Sequence, residues 1–143
     1  MRKLIIATVA AIVAVPAFAA ANDAIDKAAK EKGAVKTPSG LVYRSLKEGK
    51  GKSPTAADTV EVNYRGTLTN GKEFDSSYKR HQSISFPLSG VIPCWTEGVQ
   101  KMKVGGKAKL VCPPELAYGS RGAGSAVPPN ATLIFEVELL NIR

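Results

Sequence analysis

The clearest pattern along this chain is an alternation of apolar and polar residues in several short segments. Between positions 59 and 67, Val60, Val62 and Tyr64 alternate with polar neighbours, and positions 132–142 repeat the pattern. A period of two residues is typical of a strand with one buried face. Less regular versions of it predict further strands at positions 41–46, 73–75, 83–88 and 107–112.

A helical spacing falls between two of these strands. Trp95, Val99 and Met102 follow one another at intervals of four and three residues, and Pro93 stands where a first helical turn favours proline. Asn-Gly at 70–71 favours a tight hairpin turn between the strands on either side. Many strands with one helix, in a chain of this length, indicate a single α+β domain.

The segment before the first strand is expected to be a short, partly helical or mobile arm. Asn22 is a suitable cap for a helix that carries Ile25, Ala28 and Ala29 on one side. Because this apolar face is thin, the helix is expected to fray. Pro and Gly within positions 36–40 then predict a linker or turn.

Residues 1–19 match a secretory signal peptide. A basic start, an apolar run at 4–15 and an A-x-A sequence at 17–19 follow one another. Cleavage is expected after Ala19, with Ala21 as the alternative. An uncleaved anchor is the other interpretation, but the run is shorter than the ~20 residues that a spanning helix needs. The leader, which looks bacterial, predicts a periplasmic or secreted protein without stable membrane insertion.

The charge is strongly basic, at +8 for the whole chain. The excess comes from lysines scattered along the sequence, and no basic helix with interleaved aromatic residues, zinc spacing or helix-turn-helix pattern accompanies them. Nucleic acid is therefore not an expected partner. The charge favours solubility and attraction to acidic surfaces. A protein that binds acidic polymers, with salt-sensitive binding, remains an alternative.

The chain has two cysteines, Cys94 and Cys112. In an oxidising compartment such a pair favours a disulfide, which would stabilise the fold by roughly 3 kcal/mol in the chain-entropy model. Two buried thiols that pack as small apolar groups are the alternative. Because no C-x-x-C motif is present, a redox role is not expected.

Two common site types find little support. Gly-Lys-Ser at 51–53 lacks the earlier glycine and the following helix of a phosphate-binding loop. His81 is the single histidine, so the chain has too few histidines for a metal site built from them, and a Ser/His triad would have to use this one residue. We expect neither a metal nor a cofactor.

Four short segments follow one another between positions 62 and 119. They are Val-Asn-Tyr-Arg-Gly at 62–66, Asn-Gly-Lys-Glu-Phe-Asp-Ser-Ser at 70–77, Val-Ile-Pro-Cys-Trp at 91–95 and Ala-Tyr-Gly at 117–119. In this order they resemble the FKBP family of macrolide-binding peptidyl-prolyl cis/trans isomerases. The resemblance runs from about Gly40 to Arg143, so that residues 20–39 form the arm and 40–143 the domain. It implies a curved antiparallel sheet wrapped around one short α-helix, with a proline-binding pocket between them.

The resemblance also implies roles for individual residues, and it implies no cofactor. Taken one at a time, most of them are explained equally well as strand or helix core. In the family pattern the catalytic residues are Asp75, Tyr118, Trp95 and Phe74. The substrate-binding residues are Tyr64, Val91, Ile92, Phe135, Arg80 and Val127, and the backbone N–H of Ile92 would hold a substrate carbonyl.

Some positions depart from the family pattern. Ile84 stands where an aromatic residue is common, Ser-Gly at 89–90 is short and neutral, and small residues occupy 123–127 before the Pro-Pro pair. Cys94 replaces a glycine. These changes concern the rim of the pocket, so they bear on macrolide affinity and substrate preference.

The expected partners are proline-containing exported polypeptides and macrolides of the rapamycin type. Exported bacterial relatives often add an N-terminal helical dimerisation region, and the roughly twenty residues of the arm look too short for one, so a monomer is expected. A binding module with the same pocket but negligible turnover, acting as a chaperone or adhesin, is the alternative function.

Overall fold

The structure is a computed structural model that describes residues 17–143. Within this range the chain forms seven strands, two α-helices and two short 3₁₀ turns, at Leu88–Gly90 and Pro114–Leu116. The helices are α1 (Ala17–Ala29) and α2 (Pro93–Val99). The strands are β1 (Ala34–Lys36), β2 (Val42–Lys47), β3 (Thr59–Leu68), β4 (Glu73–Ser76), β5 (Ile84–Pro87), β6 (Lys107–Cys112) and β7 (Leu133–Ile142).

The strands form one antiparallel sheet in the order β1-β2-β6-β7-β3-β4, and β5 pairs with β3 as well. The centre of the sheet is the long pairing of β3 with β7, which runs from Val60 opposite Ile142 to Leu68 opposite Leu133. The other edge of β3 pairs with β5 along its first half and with β4 along its second half. The predicted α+β class and its curved antiparallel sheet are confirmed.

The main core lies between α2 and the face of the sheet that carries the alternating apolar residues. Val60, Leu110 and Val137 are fully buried there, together with Val99 of the helix. Pro93 occupies the first turn of α2, as the pattern predicts. Met102 is buried but follows the helix in a turn, since α2 ends at Val99, earlier than the apolar spacing suggests.

The second helix, α1, packs on the opposite face of the sheet. Ile25 and Ala28 are buried against Val42 and Val111, which form a separate apolar cluster. Asn22 lies within α1, which begins at Ala17, so the prediction of a cap at Asn22 is wrong; the thin apolar face of the helix has a partner on the sheet, and the fraying of the arm stays a prediction. Alternation marks only one face of each strand as buried, so it does not reveal this second contact.

The segment predicted as a linker is partly a strand. Val35 and Lys36 pair with Tyr43 and Val42 in an antiparallel ladder, and the turn follows at 37–40. A strand of three residues is too short to show a period of two, so the sequence carried no signal for β1.

The leader expected at 1–19 lies largely outside the described residues and stays a prediction. Within residues 17–143, no helix has the length and the apolar character that crossing a bilayer requires.

Candidate functional site

A cavity of about 300 Å³ opens between the start of α2 and the concave side of the sheet. Its size is at the lower end of the range for small-molecule sites. Eight of the residues predicted for the site line it, namely Tyr64, Phe74, Asp75, Val91, Ile92, Trp95, Tyr118 and Phe135. Phe86 and Gly90 line it as well.

Aromatic rings make the floor and walls of the cavity. Trp95 is 4% exposed and meets three rings edge to face, with centroid distances of 5.1 Å to Tyr64, 5.6 Å to Phe86 and 5.4 Å to Phe135. Phe74 packs in the same manner on Phe135 at 5.6 Å. Edge-to-face packing fixes ring orientations, so the cavity wall is preorganised.

The strand β3 has a glycine where these rings come closest. A Cβ atom at Gly66 would lie 2.6 Å from the ring of Phe74 and 3.0 Å from that of Phe135. Any side chain at this position would displace one of the two rings, so Gly66 is required by close approach.

The floor of the cavity also contains an unpaired donor. The indole N–H of Trp95 is buried and makes no hydrogen bond with the described part of the chain. Buried donors are nearly always paired in folded proteins, so an exception at a cavity floor points to a site built for a ligand.

A hydrogen-bonded group of three side chains stands at the rim of the cavity. Tyr64 donates its hydroxyl to one oxygen of Asp75, and Arg80 donates to the other oxygen at 2.7 Å. A second nitrogen of Arg80 donates to the Tyr64 hydroxyl at 3.3 Å, and the backbone N–H of Ser76 donates to Asp75 at 2.9 Å. The carboxylate is therefore fixed in position by donors on several sides.

These contacts shift the acid-base behaviour of the group. Burial alone would raise the pKa of Asp75, but the hydrogen bonds from Tyr64 and Arg80 and the charge of Arg80 outweigh it and lower that pKa below its usual value. Burial, followed by the hydrogen bond to Asp75, raises the pKa of Tyr64. At neutral pH the site therefore holds an ionised carboxylate and a neutral phenol.

Two further donors at the rim are free of protein partners. The Tyr118 side chain is 40% exposed, and its hydroxyl makes no hydrogen bond with the described residues. The N–H of Ile92, the residue that precedes α2, is likewise without a partner among them. The 3₁₀ turn positions Tyr118, since the N–H groups of Ala117 and Gly119 both donate to the carbonyl of Pro114, at 2.9 and 2.8 Å.

Two predicted site residues lie outside the cavity lining. Arg80 reaches the site through Asp75 and Tyr64, as described above. Val127 is only 2% exposed and packs into the core. Its segment folds back on itself, because Ala123 and Val127 exchange backbone hydrogen bonds of 2.9 and 3.2 Å. Val127 is thus buried in the core and is not among the residues that line the cavity, and its contact with a substrate stays a prediction.

Phe86 and Gly90 line the cavity without being among the predicted site residues, and Phe86 is the one of the two that contributes a ring. It alternates with Ser85 in β5, two positions after Ile84, and both apolar residues pack on the core. Ile84 stood at the position where an aromatic residue was expected, but Phe86 provides the ring that contacts Trp95. The alternation in β5 was the available signal, because it places positions 84 and 86 on one face.

A disulfide lies next to the floor of the cavity. Cys94 and Cys112 are bonded and fully buried, with Cα atoms 5.8 Å apart. Cys94 immediately precedes Trp95 in α2, and Cys112 ends β6, from which the chain continues toward Tyr118. The bond therefore joins the two segments that carry the floor and one rim donor of the cavity.

The fold and the aromatic cavity together define the class of the protein. A family model for the FKBP-type peptidyl-prolyl cis-trans isomerases matches residues 50–140. The chain therefore belongs to that family, and the resemblance seen in the sequence is confirmed.

The relatives of the chain include bacterial proteins of the same family. It is 57% identical over 118 residues to the FKBP-type peptidyl-prolyl cis-trans isomerase FkpA of Escherichia coli. The alignment covers 82% of this chain and 43% of FkpA. The chain thus spans less than half the length of that curated relative. The crystal structure of FkpA aligns with a TM-score of 0.84 at 54% identity, covering 87% of this chain and 58% of that chain.

A shorter solved structure matches the chain almost from end to end. A peptidyl-prolyl cis-trans isomerase from Pseudomonas syringae aligns with a TM-score of 0.83 at 35% identity. The alignment covers 91% of this chain and 98% of that one. The fold described here is therefore also found in a chain of similar extent.

Proposed function

We propose that this chain is a peptidyl-prolyl cis/trans isomerase that accelerates rotation about X-Pro bonds. Family membership supports the reaction, and the cavity supports the place where it occurs. The observation that carries the proposal is an apolar aromatic cavity with free hydrogen-bond donors at its rim. Such a cavity suits a proline ring whose flanking carbonyl groups need partners.

The chemistry of the reaction explains why this cavity would be sufficient. Rotation of the amide is opposed by a barrier of about 18–20 kcal/mol, because resonance gives the C–N bond partial double-bond character. Uncatalysed X-Pro isomerisation takes tens to hundreds of seconds. Since no covalent bond is made or broken, catalysis requires only that the twisted amide be bound more tightly than either planar form.

The aromatic walls would favour the twisted amide. Rotation removes the resonance, so the charge separation of the amide falls on the way to the transition state. Water solvates the polar planar amide well, whereas a cavity lined by Trp95, Phe74, Phe86 and Phe135 offers it little solvation. The cavity thus lowers the barrier by binding the less polar state preferentially. Val91 and Ile92 would complete the wall around the proline ring.

The free donors would hold the peptide in the strained geometry. The Tyr118 hydroxyl and the Ile92 N–H are candidates to bind the carbonyl groups that flank the proline. Asp75 would polarise the rim, because Tyr64 and Arg80 keep it ionised and oriented. Arg80 acts through Asp75 in this account, so it is a positioning residue. A contact of Val127 with the substrate belongs to the proposal as well, although its side chain packs in the core.

The substrates follow from the same chemistry and from the leader. We infer that they are unfolded or partly folded proline-containing polypeptides in the periplasm or outside the cell, whose folding the isomerase assists. The leader at 1–19, the arm at 20–39 and the domain at 40–143 form the corresponding organisation. Binding of rapamycin-type macrolides in the same cavity and a monomeric state complete the proposal.

Isomerisation of a short X-Pro-Y peptide tests the proposal. We expect the rate of cis/trans exchange to rise in proportion to the concentration of folded protein. If folded protein bound the peptide without any acceleration, the isomerase assignment would fail, and a binding module would be the better description.

A further inference from the structure

Two loops of the domain are joined by their backbones. The N–H groups of Lys50 and Gly51, between β2 and β3, both donate to the carbonyl of Val104, between α2 and β6, at 3.2 and 3.1 Å. The N–H of Val104 donates in return to the carbonyl of Lys52 at 3.0 Å. Gly49 has no room for a side chain, because a Cβ atom would overlap with the backbone of the other loop. The two loops therefore form one rigid unit.

This unit gathers lysines that are far apart in the sequence. All of them are exposed, and none forms an ion pair with the residues that the structure describes. Glu48 lies among them in the first loop, and Asp58 lines a cavity together with Lys52 and Val104, so two carboxylates are near this surface. We call this surface the lysine face, and its five members are Lys47, Lys50, Lys52, Lys101 and Lys103.

Some other cations of the described residues are paired, whereas Lys30, Lys32 and Lys72 are not, so the lysine face is distinguished by the closeness of its members rather than by their lack of ion pairs. Lys36, Arg80 and Lys109 each have a carboxylate partner within 4 Å, at 3.6, 2.7 and 2.9 Å respectively. Holding several like charges together on fixed loops is unfavourable unless a counter-charge is available. Within residues 17–143 the joined loops therefore carry a basic surface that no carboxylate neutralises through an ion pair.

We propose that the lysine face binds the surface of a bilayer that contains anionic phospholipids. Its cations are all lysines, which are flexible point charges, whereas arginine is the residue suited to bidentate recognition of a defined group. Such a face fits a diffuse layer of headgroups better than one stereospecific ligand. Each lysine near an anionic membrane surface contributes to binding, and the attraction falls off within a Debye length. The leader that the sequence predicts would bring the protein to such a surface.

The geometry would leave the cavity accessible in the bound state. The cavity lies at the beginning of α2, where Ile92 and Trp95 line it, whereas Lys101 and Lys103 follow the end of that helix. The lysine face and the cavity are therefore at opposite ends of α2. A molecule adsorbed through the lysine face would turn its cavity away from the membrane, toward polypeptides in solution.

Co-sedimentation with lipid vesicles tests the proposal. The protein is used in its processed form, as recovered from an exporting cell, because the apolar run at 4–15 would bind lipid by itself. The vesicles are phosphatidylcholine with and without phosphatidylglycerol, at low and at high salt. We expect binding only to the anionic vesicles, and we expect salt to weaken it.

A pair of charge-matched variants separates the lysine face from the net charge. The first replaces Lys50, Lys52 and Lys103 by Gln, and the control makes the same replacement at Lys30, Lys32 and Lys72, which also form no ion pair among the described residues. The first variant is expected to lose binding on the order of 100-fold and the control far less. Both should keep the wild-type thermal stability and peptide isomerisation rate.

Three results would overturn the proposal. The first is an absence of binding to anionic vesicles at low salt. The second is an equal loss in both variants, which would mean that binding follows net charge alone. The third is binding of the wild-type protein to a soluble polyanion such as polyglutamate without any binding to vesicles. None of these outcomes depends on isomerase activity, so the proposed function is tested separately.

Discussion

At the scale of single residues, three features favour a binding site over a packing defect as the interpretation of the cavity. They are the two donors at the rim that have no partner among the described residues, and the ionised Asp75. Aromatic rings that contact one another are found in any core, but a core does not leave hydroxyl and N–H groups facing an open cavity. Tyr118 and Tyr78 provide a test of this distinction, because they are almost equally exposed, at 40% and 38%. Only Tyr118 lines the cavity, whereas Tyr78 donates to Glu138 outside it.

We predict that Tyr118→Phe lowers kcat/KM for a proline peptide by about 5-fold. The change removes one hydrogen bond of roughly 1 kcal/mol and leaves the ring in place. Tyr78→Phe, the matched control, should keep the wild-type rate. Equal rates for both variants would mean that the Tyr118 hydroxyl does not bind the substrate.

The pH dependence of activity gives a second test at this scale. The pKa of Asp75 is lowered from its usual 3.8 in the folded state, so the carboxylate is ionised at neutral pH and stays ionised as the pH falls toward that value. The stabilisation from its bonds to Tyr64 and Arg80 is fully present above the usual pKa and is lost as the pH falls through the lowered one.

We predict that kcat/KM stays level from neutral pH down to the usual pKa of an aspartate, and falls only below it. Carboxyl chemical shifts of Asp75, recorded by NMR over the same range, would identify the group that titrates. An Asp75 midpoint above 3.8 would contradict the account, because it would mean that burial outweighs the two hydrogen bonds.

How well the sequence predicts a site residue depends on whether that residue belongs to a short motif. Short motifs point to Val91, Ile92 and Trp95 and to the Phe-Asp pair, and all five residues line the cavity. Phe86 has no motif, only the alternation of β5, which does not say what its ring touches. The burial of Val127 depends on a loop that turns back through hydrogen bonds to Ala123, and such a turn depends on three-dimensional contacts.

At the scale of elements, the disulfide connects α2 to the end of β6. It closes a loop between positions separated by 18 residues, and it lies where the floor of the cavity and the segment leading to Tyr118 come together. Constraining a loop of this length reduces the entropy of the unfolded chain.

We predict that the double variant Cys94→Ala/Cys112→Ala lowers the free energy of unfolding by about 3 kcal/mol. Urea unfolding of the variant and of the wild-type protein would measure the difference. Adding a reductant during unfolding should lower the stability of the wild-type protein and leave the variant unchanged. Identical unfolding curves for the two proteins under oxidising conditions would contradict the prediction.

Helix α1 is the other element whose contribution can be measured. Ile25 is buried on the outer face of the sheet, against Val42 and Val111. We predict that Ile25→Ala lowers the free energy of unfolding by about 2 kcal/mol, the lower end for such truncations, and leaves peptide isomerisation unchanged. Lys30→Ala, at an exposed position of the following turn, is the control. If both variants unfolded like the wild type, α1 would not be docked in solution.

Besides the short strands β4 and β5, the sequence predicted strands with a regular period over six or more residues. β3, β6 and β7 are of this kind, and their alternation matches the buried positions. β1 is too short to show a period, and the docking of α1 depends on Val42 and Val111, which occupy the other face of their strands. Local pattern therefore accounts for the main core, and the second apolar cluster required the complete sheet.

At the scale of the whole molecule, the cavity and the lysine face are two regions of the surface with different chemistry. One region is apolar, with a few oriented polar groups, and suits a proline-containing segment. The other is a basic surface made by two loops that are joined by their backbones. Lysines that look scattered in the sequence are brought together only by folding, which is why composition alone suggested nothing more specific than attraction to acidic surfaces.

The central claim is that the aromatic cavity is where X-Pro bonds are isomerised. Trp95 is the only tryptophan of the chain, so intrinsic tryptophan fluorescence reports on the floor of the cavity alone. The decisive measurement is a titration with rapamycin in which this fluorescence and the rate of peptide isomerisation are followed together. The account predicts that both change in parallel and that the acceleration disappears when the fluorescence change is complete. Isomerisation that persists with the cavity saturated would contradict it.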